Sequence, residues 1–275
     1  EMESYETMLY LGTPDVGQVT INLFGGFHVL RNGHTLTDEV WKRKKASALA
    51  ARLVLSIDTF VDRRVISEEM WPEMDYTHAR KSHYTALSSL RTALNQRKDG
   101  PQYVVTQADA ISFNGDYVTS DVRRFDALAR EVLLRKTGRS AQEVIDDCLK
   151  LEEVYAGPLF VPSIGKTQFF VQMRRMYQSK FIDCMIRGID LSVEAGNTAS
   201  ATWLVEAALR QEATREDVIR RAMAVFDLCG RRREVVELYN SHLHYLEHEV
   251  HALPEEKTRI AYEQIIGRSK APVML

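Results

Sequence analysis

The stretch "YTHARKSHYTALSSLRTALNQRK", Tyr76 to Lys98, carries five Lys or Arg and two His, and contains no Asp or Glu. The whole chain has a formal net charge of −2, so this exclusion of acids is local. At 3.6 residues per turn the stretch divides into two unlike helical faces. His83, Leu87, Leu90 and Leu94 fall within a narrow arc flanked by Ala79, Ala86 and Ala93, a stripe suited to packing against the preceding helix. The opposite arc carries His78, Lys81, Thr85, Ser88, Ser89 and Thr92, with Tyr84 at its edge. Small hydroxyls and cations without bulky apolar groups suit the major groove of duplex DNA, about 12 Å wide, where short side chains reach base edges and cations reach phosphates. A solvated helix face is the plainer reading of the same pattern.

Two neighbouring features favour the groove. "KRKK", Lys42 to Lys45, opens the first helical segment, "WKRKKASALAARLVLSI". Cations there oppose the positive end of the helix dipole and cost stability unless an anion lies close. Ala46, Leu49, Ala50, Leu53 and Val54 form the apolar stripe of that helix. The second feature is "QYVVTQADAISFNGDYV", Gln102 to Val118, two β-rich runs joined by a polar turn. It follows the long helix directly, as a wing follows a recognition helix. Its tip, Gln107-Ala108-Asp109, lacks the Lys or Arg suited to minor-groove insertion.

Upstream, "VTINLFGGFHVLRNGHTL" from Val19 alternates apolar and polar residues around Gly25-Gly26 and Asn32-Gly33, which predicts short antiparallel strands. A short helix around Ser67–Trp71 ends at Pro72, and a longer one spans roughly Thr77 to Arg97. After Asp121 every segment reads as an amphipathic helix, with breaks at Gly138, Gly157-Pro158, Pro162, Gly196-Asn197, Gly230 and Pro254. "TASATWLVEAAL" and "RREVVELYNSHL" align Leu204 with Leu238, 34 residues apart, the period of tetratricopeptide-type helix pairs. The expected fold is mostly α: a winged helix-turn-helix with a small antiparallel sheet and a hairpin wing at its C-terminal end, then an all-α tetratricopeptide-like domain. The expected boundaries are a leader or linker over 1–18, the winged helix over 19–120, the helical domain over 121–267 and a tail over 268–275.

A chain of 275 residues is comfortable for two domains, and 45% hydrophobic with 27% charged residues is ordinary for a globular protein. Residues 1–19 hold four acids and no Lys or Arg, whereas Trp41 to Asp99 holds 12 basic against 7 acidic residues. A positive field confined to one segment is how a nucleic-acid footprint shows in a protein of unremarkable pI. No apolar run approaches the roughly 20 residues needed to span a bilayer. Three scattered cysteines, Cys148, Cys184 and Cys229, suit a reducing cytoplasm rather than a disulfide framework.

The run "LFGGFHV…NG…WKRKK…LAARLVL", then "VISEEMWPE", then "ALSSLRTAL", resembles the response-regulator-type winged helix of bacterial antibiotic-regulatory-protein activators. The second half is similar to their bacterial transcriptional activator domain: Asp121 and Phe125 match its opening, "YAGPLF" (Tyr155–Phe160) its Tyr-x-Gly turn, and Gly230-Arg231, Tyr239 and "LEHEVHALPEEKTRIAYEQI" its close. The resemblance covers about residues 19–267. It implies a winged helix on direct DNA repeats, protomers side by side, and contact with RNA polymerase. His83 stands where the family usually has an apolar residue.

The candidate DNA-binding residues on the recognition helix are therefore His78, Arg80, Lys81, Tyr84, Thr85, Ser88 and Arg91, with Arg43, Lys44 and Lys45 on phosphates. The expected partner is double-stranded DNA, and the resemblance adds RNA polymerase and a second copy of the chain beside it, with no membrane. A protein-interaction scaffold with a helical peptide-binding domain and a non-binding winged helix is the alternative.

Other signals carry less. "IGKT", Ile164–Thr167, ends like a phosphate-binding loop, but Phe160 stands where that loop needs glycine. His242, His244, His248 and His251 read as the outer face of an amphipathic helix with Leu243, Leu246 and Val250 inward, rather than as a metal site. Trp41, Trp71 and Trp203 read as core residues, and Arg231–Arg233, after the Gly230 break, as a solvated turn, with a second phosphate contact or a protein-docking patch as the alternative. No nucleophile–base–acid set and no cofactor motif has interpretable spacing. The chain reads as a regulator and not an enzyme.

Overall fold

The computed structural model describes residues 17–36, 41, 44–135, 137–162 and 165–267. The expected leader up to residue 16, Arg43, Ile164 and the expected tail lie outside the described residues. The described chain divides into two compact units. One runs to Ala127 and takes in Val154–Tyr177, and the other comprises Leu128–Glu153 and the chain from Gln178 onward.

The first unit opens with β1 (Val19–Asn22), β2 (His28–Arg31) and β3 (His34–Thr35), an antiparallel meander with Val19 opposite Arg31 and Leu30 opposite Thr35. Asn32 and Gly33 are both left-handed, as an Asn-Gly hairpin turn requires. The first helix, α1 (Lys44–Val54), buries all five residues of its expected stripe. Next come β4 (Val61–Asp62) and α2 (Arg63–Met70). α2 begins four residues before the expected start at Ser67, because Asp62 caps it by accepting from the Arg64 N–H at 2.6 Å. The long helix, α3 (Tyr76–Ala93), is capped by Asp75, which accepts from the Thr77 and His78 N–H groups.

α3 stops short of the expected Arg97. Asn95 is left-handed, its N–H reaches the Thr92 carbonyl at 3.0 Å, and the Gln96 N–H reaches Arg91 at 2.9 Å. That pair of bonds closes a helix C-terminus. The hairpin follows as β5 (Val104–Gln107) and β6 (Ala110–Phe113), and β4 joins it in the order β4-β6-β5. β7 (Val118–Thr119) pairs parallel to β1. The two-residue strands β4 and β7 were not anticipated, since two residues show no alternation.

Ala79, His83, Ala86, Leu87, Leu90, Ala93 and Leu94 of the third helix and its cap are buried. The face packs chiefly on α1, and only secondarily on the preceding helix α2. Alanines on both α1 and α3 let the backbones approach closely.

The next helix, α4 (Asp121–Leu133), is tied to the first sheet by its opening residue. The buried Asp121 carboxylate accepts from the N–H groups of Leu23 (2.9 Å), Phe24 (2.8 Å) and Val122 (2.7 Å). Burial holds this carboxyl above the usual carboxylate range, and the three donors oppose that shift. The "YAGPLF" turn docks beside it. Phe160 N–H donates to Leu23 O at 2.8 Å, Gly25 N–H to Pro158 O at 3.1 Å, and Phe24 and Leu159 form an isolated β-bridge. Gly25 is left-handed, and a Cβ there would meet the Ala156 carbonyl oxygen at 3.0 Å. Phe24 packs on Phe125, Tyr155 and Tyr177 with ring centroids 4.8–5.6 Å apart.

The remaining elements are all helical: α5 (Ala141–Val154), α6 (Gln168–Glu194), α7 (Thr198–Gln211), α8 (Glu216–Leu228), α9 (Arg232–Tyr245) running into a π turn (Leu246–Val250), and α10 (Glu256–Gly267). α8 packs on α7, α9 and α10. α7 and α9 start 34 residues apart, matching the sequence repeat. On α6, a Cβ at Gly188 would meet Leu204 at 2.7 Å and Cys148 at 2.9 Å, so glycine admits both neighbours. The expected inward Val250 is instead exposed, because the wider π turn rotates it off the stripe. His242, expected on the outer face, is buried. Trp203, expected in the core, is 55% exposed and donates its N–H to Glu152 at 3.2 Å.

Asp121→Ala strips the acceptor from two buried N–H groups just past β1, those of Leu23 and Phe24. The expected loss is about 2 kcal/mol or more, at about 1–3 kcal/mol for each orphaned group, read by urea denaturation of the full chain. A variant as stable as the parent contradicts this role.

Candidate nucleic-acid interface

α3 presents the two faces its sequence announces. His78, Arg80, Lys81, Tyr84, Thr85 and Ser88 are exposed, and Arg91 is half-buried. Asp75 precedes the acid-free stretch, so the helix N-terminus already holds a carboxylate. That carboxylate also pairs with His78 Nδ1, and the pairing holds Asp75 below the usual carboxylate range. One ring nitrogen of His78 is thus committed to the cap.

Thr85 and Thr92 donate their hydroxyl protons to the Lys81 and Ser88 carbonyls at 2.9 and 3.0 Å. Back-bonding of this kind leaves each hydroxyl oxygen as an acceptor and each methyl as an apolar contact. With Lys81 and Ser88 the outer face offers a cation, hydroxyls and methyls in register along successive turns.

The flanks carry more charge. Lys45, in the first turn of α1, reaches Ser82 of α3 at 3.5 Å, and Lys44 opens the same turn exposed. Arg91 lines a shallow groove with Tyr84, Leu87, Ser88, Thr92, Asn95 and Gln96. Its Nε is buried without a hydrogen-bond partner, and burial, then the Arg63 charge, lower its pKa. On the other flank, the Arg63 and Arg80 guanidinium carbons each lie 5.7 Å from the Tyr84 ring centroid. Those two cations, Arg80 first, hold the Tyr84 phenol below its ordinary value. Arg63 and Arg64 lie before the expected start of the short helix at Ser67, and the Asp62 cap brings both into its first turn. Asp62 as an N-cap was the signal that could have recovered them.

The hairpin tip makes a two-residue turn with Ala108 left-handed. Asp109 folds back so that its carbonyl accepts from the Arg63 N–H at 2.9 Å, and its carboxylate sits 3.7 Å from the Arg63 guanidinium.

His83 is 1% exposed, and neither ring nitrogen has a hydrogen-bond partner. Burial, and next the Arg63 charge, push its pKa down to about 4.

Of Arg231–Arg233, expected as a solvated turn, Arg231 and Arg232 brace neighbouring helices, while Arg233 is exposed and pairs within its own helix. Arg231 pairs with Glu206 and Glu234, Arg232 with Asp227 at 3.3 Å, and Arg233 with Glu237 at 2.7 Å. Among the described residues there is no group of three or more His, Cys, Asp or Glu that could hold a metal ion, and no helix long and apolar enough to cross a membrane. His244 and His248 have ring centroids 4.2 Å apart.

A family model described as the bacterial transcriptional activator domain matches residues 120–266. The solved structure of Mycobacterium tuberculosis EmbR in complex with a low affinity phosphopeptide is similar with a TM-score of 0.69 at 16% identity, over 92% of this chain and 66% of that one. That likeness supports the mostly helical fold with its small N-terminal sheet. A segment of 99 residues is 31% identical to the FMN-dependent NADH:quinone oxidoreductase of Staphylococcus carnosus (strain TM300), over 35% of this chain and 44% of that protein. The chain thus spans less than two thirds of the length of either relative, and the oxidoreductase match covers a minority of both proteins.

His83 yields a pH test. The unfolded imidazole takes up a proton below about pH 6.5, and the folded one does so only near pH 4. Stability therefore rises with pH across that window and this contribution is flat above it. His83→Leu removes the effect. Relative to the parent it should gain about 2 kcal/mol more stability at pH 5 than at pH 7.5, measured by urea denaturation. An equal difference at both pH values refutes the assignment.

Proposed function

The chain belongs to the bacterial transcriptional activator domain family, and from that premise we propose that it binds duplex DNA through α3 and activates transcription by contacting RNA polymerase. In this reading residues 19–120 are the DNA-binding domain and 121–267 the activator domain. Protomers sit side by side on direct repeats in the cytoplasm.

The observation that carries the reading is the outward, acid-free face of α3. Lys81, Thr85 and Ser88 lie along it, exposed, with the cations of Lys44, Lys45 and Arg80 on its flanks. Residues in the first half of a recognition helix contact bases, and cations on either side contact phosphates. Lys81 donates to guanine or to phosphate, and the threonine methyls suit the thymine methyl group. His78 contributes by positioning the cap as much as by reading a base. The paired cations of the second unit, with an acid at each of Arg215, Arg220, Arg221, Arg231 and Arg233, are poor candidates for a second phosphate contact.

Fluorescence-anisotropy titration of genomic promoter fragments at two salt concentrations tests this. Affinity should fall steeply with salt, because binding releases counterions. Lys81→Ala and Ser88→Ala should each weaken a specific site more than random DNA, by about 1–3 kcal/mol per lost base contact. Equal loss on both DNAs overturns the recognition-helix assignment, and salt-independent or absent binding favours a protein-interaction scaffold.

A further inference from the structure

Beside the groove-reading face of α3 lies a cleft that shares Arg80 and Tyr84 with it. It opens between the start of α2, the first half of α3 and the β5–β6 turn, with a volume of about 340 Å³. Arg63, Arg64 and Arg80 line it together with the phenols of Tyr76 and Tyr84. We propose that this cleft seats one phosphate group, and that the Asp109 carboxylate of the hairpin tip stands at its mouth as a weak internal competitor.

The charge arrangement argues for an anion. Arg63 and Arg80 flank one tyrosine ring, and the Arg64 guanidinium lies 5.9 Å from the Tyr76 ring. Guanidiniums gathered this way repel one another, and their planar forks match phosphate oxygens. The acids nearby are largely committed. Asp62 accepts from the Arg64 backbone N–H, and Glu68 pairs with the Arg64 side chain at 3.0 Å. Asp109 remains, but its side chain is 89% exposed and 3.7 Å from Arg63, a weak solvent-screened contact.

An independent observation comes from the lining. His83 borders the cleft with both ring nitrogens unpaired, and the Nε of Arg63 is also buried and unpaired. Buried polar groups nearly always have partners, and two orphans on one cleft point to an acceptor that belongs there. A phosphate offers several acceptor oxygens. It can take the Arg63 Nε–H, one imidazole N–H of neutral His83, and the outer guanidinium of Arg80. Two sources supply that chemistry: the DNA backbone, which rests on the reading above, and a free phosphate-bearing solute, which does not.

The test uses the full chain with Arg63→Gln and Asp109→Asn, neither of which lies on α3. Inorganic phosphate, titrated at constant ionic strength against chloride, should raise the melting temperature of the parent. It should do so at several-fold lower concentration for Asp109→Asn and not for Arg63→Gln. In the DNA arm, Arg63→Gln should weaken specific and random fragments alike and reduce the salt slope by about one unit, with Asp109→Asn shifting affinity the other way. A melting shift without a DNA effect assigns the cleft to a solute. A DNA effect without a melting shift assigns it to the backbone. If both arms are flat for both variants the proposal is overturned, while the groove-reading role of Lys81 and Ser88 stands or falls on its own titration. Asp109→Asn changes an exposed side chain, so its result remains readable even where Arg63→Gln disturbs the start of α2.

Discussion

The packing of α3 on α1 is the constraint from which the rest of the winged helix follows. Ala79, Ala86 and Ala93 of α3 and Ala46 and Ala50 of α1 are buried on the two packed helices, together with Leu49, Leu53, Leu87 and Leu90. Small residues on both sides fix the rotation of α3 about its own axis. Once that rotation is fixed, Lys81, Thr85 and Ser88 have only one direction to point. Larger residues at the alanines would push α3 away and overpack a tightly filled core. One substitution within the stripe departs from a purely apolar face: His83 is buried neutral and unpaired. Its position against Arg63 links the interior of the helix pair to the cluster of arginines outside.

The disposition of charge separates the two units. In the second unit the arginines are matched to acids at short range, as in the Arg215–Asp217, Arg221–Asp190 and Arg231–Glu234 pairs. Such pairs are worth little individually at a surface but leave little field for an external anion. In the first unit, cations concentrate around α3, where Glu68 pairs with Arg64 and Asp109 lies near Arg63, and two further acids serve as caps. Asp62 and Asp75 satisfy backbone N–H groups at helix starts. Capping with carboxylates keeps the helices stable while leaving the face beyond them positive. The result is a local field in a chain that is close to neutral as a whole.

Much of this was legible in the sequence because two periods dominate it. The 3.6-residue stripe in Ala46–Val54 and in Ala79–Leu94 announced which faces are buried, and the Gly and Pro breaks marked the helix ends of the second half. The resemblance to antibiotic-regulatory-protein activators is borne out by the family match and the fold. What the sequence hid has physical reasons. β4 and β7 span two residues each, too short for alternation to register. The end of α3 depends on a left-handed Asn95, which competes with continued helix propensity in "NQRK". Val250 left its expected side because a π turn shifts the phase of the helix there, whereas His242, upstream of that turn, is buried in the regular part of α9. Trp203 stays outside since its N–H has a carboxylate partner there. Arg63 and Arg64 join the helix only because the Asp62 cap starts α2 four residues upstream of Ser67.

The most direct test of the central claim is where α3 lies on DNA. A photocrosslinking residue placed at Ser88, and as a control at the exposed Glu247 of the second unit, is irradiated with the full chain bound to promoter fragments, and the crosslinked nucleotide is mapped. The account predicts a crosslink from Ser88 to a base within the major groove, repeated at each half of a direct repeat, and none to a base from Glu247. Crosslinks confined to Glu247, or a Ser88 probe that reaches no nucleotide while DNA is retained, would contradict it.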